Sequence, residues 1–372
     1  MANFSLKSLT SFLSSFNRGR STSVIGIDIG SSAIKVVQVR RQGGKAILET
    51  YGAIALGPYG DMEIGRAINL PSETIVQALS DVLREANITS RDAGVSIPYA
   101  SSLVSVIKVP QVTDRQLSQM IPIEARKYIP VPIGEVMLDW FAIPEEQQTS
   151  ADAKDAEKKQ TSVLLVAIHN DTIAKYQSIV KGAAIDSKFF EIEVFSSVRA
   201  SLDHGIAPVA VLDMGAATTK LYIVERGIVR ESHIINRGSQ DITLAIAQSL
   251  GKTVAQAEEL KRMKGLSPDA EPQLKESIEL TLQHLINEIN RVVLSYEQHM
   301  GTSVAKMVAT GGGATLKGLA AYFEGKVNAK IELADSFAKT EAPAFLTDVL
   351  KDAGPEFSVA VGLALRRLQE IA

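Results

Sequence analysis

The sequence predicts an α/β protein built as two related halves around a cleft. Three stretches carry that expectation. At 24–39, VIGIDIGSSAIKVVQV alternates branched apolar residues with others up to Asp28, as a half-buried strand does. Gly30 then permits a tight turn into a second strand carrying Lys35. At 209–227, VAVLDMGAATTKLYIVERG repeats the pattern: Asp213, Gly215, Lys220 and Val224 each follow Asp28, Gly30, Lys35 and Val39 by 185 residues. Self-similarity at that distance means two alike domains, not a solenoid. At 304–314, VAKMVATGGGA is a strand running into Gly311, Gly312 and Gly313, where the backbone can pass close to a flat ligand.

Two Asp-x-Gly turns facing each other would grip a polyphosphate from both sides. Successive N–H groups in such turns suit an anion. Asp28 and Asp213, at strand ends, suit a hydrated Mg²⁺ beside it. The expected phosphate contacts are Gly30, Ser31 and Ser32 in the first turn and Gly215, Ala216 and Thr218 in the second. Lys35 can face the phosphates or the solvent, since side-chain alternation leaves both open. Either hairpin alone, or the glycine triplet alone, is compatible with plain structure; the order of all three is what points to a nucleotide.

Composition narrows the rest. A chain of 372 residues suffices for two or more domains with a sizeable core. Lys and Arg total 39 against 42 Asp and Glu, a net charge of −3, so no nucleic-acid partner is expected. There is no cysteine, hence no disulfide or thiolate metal site. No apolar run is long enough to span a bilayer, and the N-terminus lacks a secretory signal's apolar core, so a cytoplasmic location is expected. Neither a His-Glu-x-x-His helix, a Gly-x4-Gly-Lys-Ser/Thr loop nor a Gly-x-Ser-x-Gly elbow appears. Phosphoryl chemistry on the paired hairpins is the coherent enzymatic option.

Taken in order, the stretch at 3–18 places Leu6, Leu9, Leu13 and Phe16 on one helical face opposite serines. With Lys7 alone on the polar face, it suits a protein partner or its own domain better than a membrane. A strand at 46–54, a helix at 72–86 capped by Ser72, and a strand at 92–98 follow. The helix buries Ile75, Val76, Leu79, Val82 and Leu83. Residues 102–194 read as one α+β insert. It has a strand at 102–109 and a helix at 114–128, capped by Thr113 and interrupted by Pro122. Strands at 136–143 and 161–168 flank a polar loop, and a helix at 171–182 and a strand at 188–194 complete it.

A connecting helix at 196–204 leads to the second hairpin, a strand at 229–235 and a helix at 241–250 stopped by Gly251. The next helix runs from the Thr253 cap to Gly265, and its Glu258 and Lys261, three apart, read as a surface ion pair. A long helix at 274–300 has a continuous apolar face. After the glycine triplet come a helix in LKGLAAYFEG, a strand at 330–333 and a helix or loop at 343–350. A closing helix at 357–371 follows, in which Gly362 and Ala364 permit close packing.

With these residues in place, the chain resembles the actin-like ATPase superfamily, which includes actin, the Hsp70 nucleotide-binding domain and sugar kinases. The motif IDIGSSAIK and the region 106–132 are similar, more narrowly, to the PilM family of type IV pilus assembly proteins, relatives of the cell-division protein FtsA. The resemblance implies the actin-like ATPase fold, with phosphate loops at the two hairpins and an adenosine loop at Gly311, Gly312 and Gly313. It implies ATP or ADP with Mg²⁺ as ligands, Gly238 in the loop ahead of a second-domain helix, and Glu258 and Lys261 on ribose and adenine. It also divides the chain. An N-terminal segment at 1–20 precedes subdomain 1A at 21–101, the FtsA-like 1C insert at 102–194 and a connecting helix at 195–208. Subdomain 2A at 209–240 and 304–355 surrounds 2B at 241–303, and a helix at 356–372 returns to 1A.

The function so implied is that of an ATP-binding component of the type IV pilus inner-membrane platform, cytoplasmic and peripheral to the membrane through its partners. The cytoplasmic N-terminal peptide of PilN would bind in the groove between 1A and 1C. PilO, PilC and the pilus assembly ATPases would be neighbours, with self-association open. In relatives the connecting helix supplies a polar residue that orients the attacking water. Serines stand at 196–204, so at most slow turnover is expected. An FtsA-like filament former in cell division is the alternative, followed by a small-molecule kinase, for which no candidate base stands out.

Overall fold

Two five-stranded sheets repeat one topology. In the first, β1 (Ser23–Ile29), β2 (Ala33–Gln42) and β3 (Lys45–Ala55) form an antiparallel meander. Strands β4 (Asp92–Ile97) and β8 (Asp186–Ile192) extend it in parallel, in the order β3-β2-β1-β4-β8. In the second, β9 (Val209–Met214), β10 (Thr219–Glu225) and β11 (Ile228–Ile235) form the meander. Strands β12 (Lys306–Thr310) and β13 (Lys330–Leu333) run parallel to β9, in the order β11-β10-β9-β12-β13. The sequence repeat is thus a repeat of sheet topology. These are the features of a computed structural model in which the described residues are 23–144, 160–203 and 205–371. The amphipathic stretch at 3–18 and most of the polar loop ahead of β7 lie outside them.

The insert is a smaller sheet, β5-β7-β6, of β5 (Ser102–Pro110), β6 (Val136–Ala142) and β7 (Gln160–His169). Side-chain alternation along β7 splits its faces. Val163, Leu165 and Ala167 pack with Leu117 and Ile121 of α2 (Asp114–Glu124), whereas Leu164, Val166 and Ile168 join the core of the first domain. Thr113 caps α2 in a reciprocal box with Gln116. Pro122 stands in its last turn, and the chain continues from Ala125 as a 3-10 turn, so the expected helix stops short of Tyr128.

Helix α1 (Ser72–Glu85) buries Ile75, Ala78, Leu79, Val82 and Leu83. Ser72 is its first residue and not its cap: Pro71 holds the cap position, without a side-chain bond. Helix α3 (Asn170–Gly182) packs against α1, and β8 pairs with β4, Phe190 opposite Val95. The strand expected to close the insert therefore belongs to the first sheet. Its Phe189, Phe190 and Ile192 are all buried, as a strand covered on both faces requires.

The connecting helix is α4 (Glu193–Ser201), which starts earlier than its serines suggested. The second sheet carries α5 (Ser239–Leu250), α6 (Val254–Met263) and the long α7 (Pro272–Met300), whose apolar face is buried throughout. The helix expected in LKGLAAYFEG is the short α8 (Leu319–Phe323). The last helix, α9 (Thr347–Glu370), begins ten residues ahead of expectation and runs through Pro355. It covers the first sheet with Phe357, Ala360, Val361 and Ala364 against Val24, Val37 and Val39. Gly362 lets it approach α4, since a methyl there would stand 1.9 Å from Ser196 O. Behind this contact Arg199 and Arg366 both bind the buried Glu191.

Candidate functional site

The two hairpins present their acidic residues in identical register: Asp28 lies opposite Lys35, and Asp213 opposite Lys220. Their turns close in the same way, Gly30 N donating to Ala33 O and Gly215 N to Thr218 O, each at 3.0 Å. Among the described residues, the N–H groups of Ser31, Ser32, Ala216 and Ala217 find no acceptor. Donors left over in a tight turn are what a polyphosphate oxygen needs. The turns converge, because Asp28 feels the charges of both Lys220 and Asp213.

Around Asp28 the contacts are sparse. Its Oδ1 accepts from Ser96 Oγ at 2.9 Å, and Ile29 N donates to the same hydroxyl. Burial raises its pKa, and Lys35 and the Ser96 hydroxyl pull back only part of that rise. Lys35 turns towards Glu356 of α9, at 3.7 Å.

Around Asp213 they are dense. Lys220 Nζ stands 3.0 Å from Asp213 Oδ2 and 2.8 Å from Glu193 Oε1. Glu193 also accepts from Tyr99 N at 2.7 Å. Burial works against the Lys220 charge, but Asp213 and Glu193 outweigh it and raise its pKa. Burial raises the Glu193 carboxyl against the pull of Lys220, and Asp213 and Asp28 add to the rise. Asp213 and Glu193 share the one Lys220 ammonium, and Asp28 lies within reach of their charges. Beside them the Tyr222 hydroxyl is buried with no hydrogen-bond partner among the described residues, its ring 5.4 Å from that of Tyr99.

The glycine triplet reaches the same place. Gly311 has φ +83°, and a methyl there would lie 2.5 Å from Asp213 Oδ1. Its N–H donates to Pro355 O of α9, and Gly312 lies near Glu356. Gly313 packs on Met214 and Ser239. Gly238 packs on the Ala216 carbonyl, and Ser239 N and Gln240 N at the start of α5 donate to Gly215 O and Ala216 O.

Glu258 and Lys261 are not a surface pair: each is under a tenth exposed. Lys261 Nζ lies 2.6 Å from Glu258 Oε2 and 2.8 Å from Thr243 Oγ1, and Arg262 holds the other Glu258 oxygen. Burial opposes the Glu258 charge, yet Lys261, Arg262 and Thr243 hold its pKa below the usual range. What buries the pair is partly a strap from the first domain. Leu56 N and Ile68 N donate to Ser32 O and Ser31 O, Ala67 N donates to Gln240 Oε1, and Gly65 packs on the Glu258 carboxylate. The strap therefore ties the first turn to α5 and α6.

Sequence reasoning missed Glu193, Tyr99 and Ser96. The sequence pattern places Glu193 inside a strand ending at Val194 and starts the helix behind it at the serines. Ser197 instead contacts Thr310, and Ser196 binds Glu191. A surface cavity of about 440 Å³ lies elsewhere, among Leu83, Arg84, Thr89 and Ala183, and touches none of the hairpin residues.

A family model for type IV pilus assembly protein PilM matches residues 26–368. The chain belongs to the PilM family of type IV pilus assembly proteins. The solved PilM-PilN type IV pilus biogenesis complex has TM-score 0.77 at 24% identity, covering 94% of this chain and 99% of that one. Ethanolamine utilization protein EutJ from Carboxydothermus hydrogenoformans has TM-score 0.55 at 14% identity, over 94% and 91% of the two chains. Cell division protein FtsA from Neisseria meningitidis serogroup B is 24% identical over 379 residues, 91% of this chain and 88% of that one. FtsA from Escherichia coli K12 is 25% identical over 236 residues, 55% of each. The fold is the actin-like ATPase fold of this PilM family. Among the described residues no helix is long and apolar enough to cross a membrane.

Proposed function

We propose that the cleft binds ATP or ADP and that the chain serves as the nucleotide-binding component of a type IV pilus assembly platform. The observation that carries the first half is the pair of register-matched turns with unpaired N–H groups at one cleft. Gly30, Ser31, Ser32, Gly215, Ala216 and Thr218 would hold the phosphates, and Gly311 to Gly313, with Gly238, Glu258 and Lys261, the nucleoside side. A hydrated Mg²⁺ carried in with the polyphosphate fits Asp28, whose Oδ1 takes only the Ser96 hydroxyl among the described residues. Asp213 fits it less well, because Lys220 already holds its Oδ2. No group of three or more metal-binding side chains stands ready among the described residues.

Glu193 supplies a carboxylate at the start of the connecting helix, but Lys220 and Tyr99 N both engage it. That supports slow turnover and a nucleotide-dependent switch. Melting the protein with ATP and Mg²⁺ tests the reading: at a hundredfold excess over Kd the linked stabilisation is about 2.7 kcal/mol. An unchanged melting curve contradicts it.

The pilus half rests on family membership. The PilN of the solved complex suggests the partner here: a short cytoplasmic N-terminal PilN peptide docking between the first domain and the insert. Strand β6 favours this, since it is an edge of its sheet and can accept an added strand. Inner-membrane association would run through PilN, with PilO, PilC and the assembly ATPases nearby. A labelled PilN peptide should change anisotropy on titration. No binding in the ATP, ADP or nucleotide-free state contradicts this half.

A further inference from the structure

The two hairpins share a register but not a chemistry. In the first, the cross-strand lysine leans away: Lys35 Nζ is 3.7 Å from Glu356, and Asp28 is left with a hydroxyl. In the second, Lys220 stays in the cleft and bridges two carboxylates at 3.0 and 2.8 Å. The lysine, Asp213 and Glu193 side chains are each no more than 13% exposed. The remaining Asp213 oxygen faces Gly311, where even a methyl group would stand 2.5 Å away.

A divalent ion bound directly to Asp213 would need oxygen ligands at about 2.1 Å in octahedral array, with several waters kept. Lys220 fills the open side of that carboxylate. To admit the ion, the ammonium must leave Asp213 and Glu193 together. An ammonium offers three donors and a full positive charge. Among the described residues two of its donors are satisfied by the carboxylates, and the third remains for an anion.

We infer that Lys220 is the resident counter-cation of the cleft: beside Asp213 its ammonium takes the position a metal ion would need and neutralises the polyphosphate from the second hairpin. Asp213 and Glu193 are then positioning residues that hold the lysine, and Lys220 itself touches the ligand. The inference rests on the nucleotide reading above. It goes beyond that reading by making the second half of the clamp independent of metal. Nucleotide affinity then depends only weakly on Mg²⁺, which acts through Asp28 alone.

Calorimetric titration of the intact protein with ATP, once in excess Mg²⁺ and once in excess EDTA, tests this. The wild type is expected to lose less than about threefold in affinity on removal of the metal. Lys220→Met should lose more than about tenfold in EDTA and recover part of it in Mg²⁺. Lys220→Arg, which keeps the charge, should stay nearer the wild type in EDTA. A wild type that loses more than about tenfold in EDTA overturns the inference while leaving nucleotide binding intact. So does a folded Lys220→Met that binds metal-free ATP as well as the wild type. Should Lys220→Met fail to fold, the wild-type ratio still decides. Absence of ATP binding in both buffers removes the nucleotide reading and the inference with it.

Discussion

The first hairpin and the second are built on one plan, with Asp opposite Lys and a glycine turn between, yet they are wired differently. Asp28 keeps a loose surround of one serine and a distant lysine. Asp213 is locked to Lys220, and through it to Glu193 and the Tyr99 backbone. Shared backbone geometry therefore says where charges stand. What lies on the neighbouring elements decides which charge pairs with which. Beside the first hairpin that neighbour is α9, half-open to solvent at Glu356; beside the second it is the buried start of α4.

The contrast makes graded predictions. Lys220→Ala leaves two buried carboxyl groups without their cation and should cost about 3–5 kcal/mol of stability in denaturant unfolding. Glu191→Gln comes next. Burial pushes this carboxyl up, but Arg199, Arg366 and Ser196 overcome it and hold its pKa at about 2, well below the ordinary glutamate range. A depressed carboxylate contributes stability that is complete above its unfolded value and is lost as pH falls towards the folded one. The wild type should thus lose roughly 3 kcal/mol between pH 4.5 and pH 2 that Glu191→Gln never had. Because Glu191 lies behind α4 and outside the cleft, ATP affinity per folded molecule should be unchanged in that variant. A changed affinity would blur the line between the anchor and the clamp.

Smaller effects follow. Gly311→Ala imposes a left-handed conformation on a residue with a side chain and drives a methyl against Asp213. Strain of that kind costs on the order of 1–3 kcal/mol, read as a lower melting temperature. Lys35→Ala breaks a long, partly exposed pair with Glu356 and removes a charge that eases the burial of Asp28, and should cost about 1 kcal/mol. Equal losses for Lys35→Ala and Lys220→Ala would erase the difference between the hairpins.

Much of this was legible beforehand where period and repetition are local. The hairpins, the offset between them, the glycine triplet and the buried face of α7 all follow from alternation or helical spacing. Glu193 was not, because β8 passes straight into α4 at Ile192 with no side-chain cap to mark the change. Read as continuing strand, Glu191 and Glu193 fall on one face; in the fold one anchors α9 and the other enters the cleft. The burial of the Glu258 and Lys261 pair is not written in their spacing, which shows which residues meet on a helix, not what covers them. Thr243 and the strap carrying Gly65 come from distant parts of the chain. The pairing of β8 with β4 and the passage of α9 through Pro355 are tertiary outcomes of the same kind.

The central claim is that both turns close on one nucleotide. Backbone hydrogen exchange with and without ATP reads it directly, since among the described residues the Ser31, Ser32, Ala216 and Ala217 amides have no acceptor. The account predicts that ATP slows exchange at all four. Slowing in one turn alone, or in neither, would contradict it.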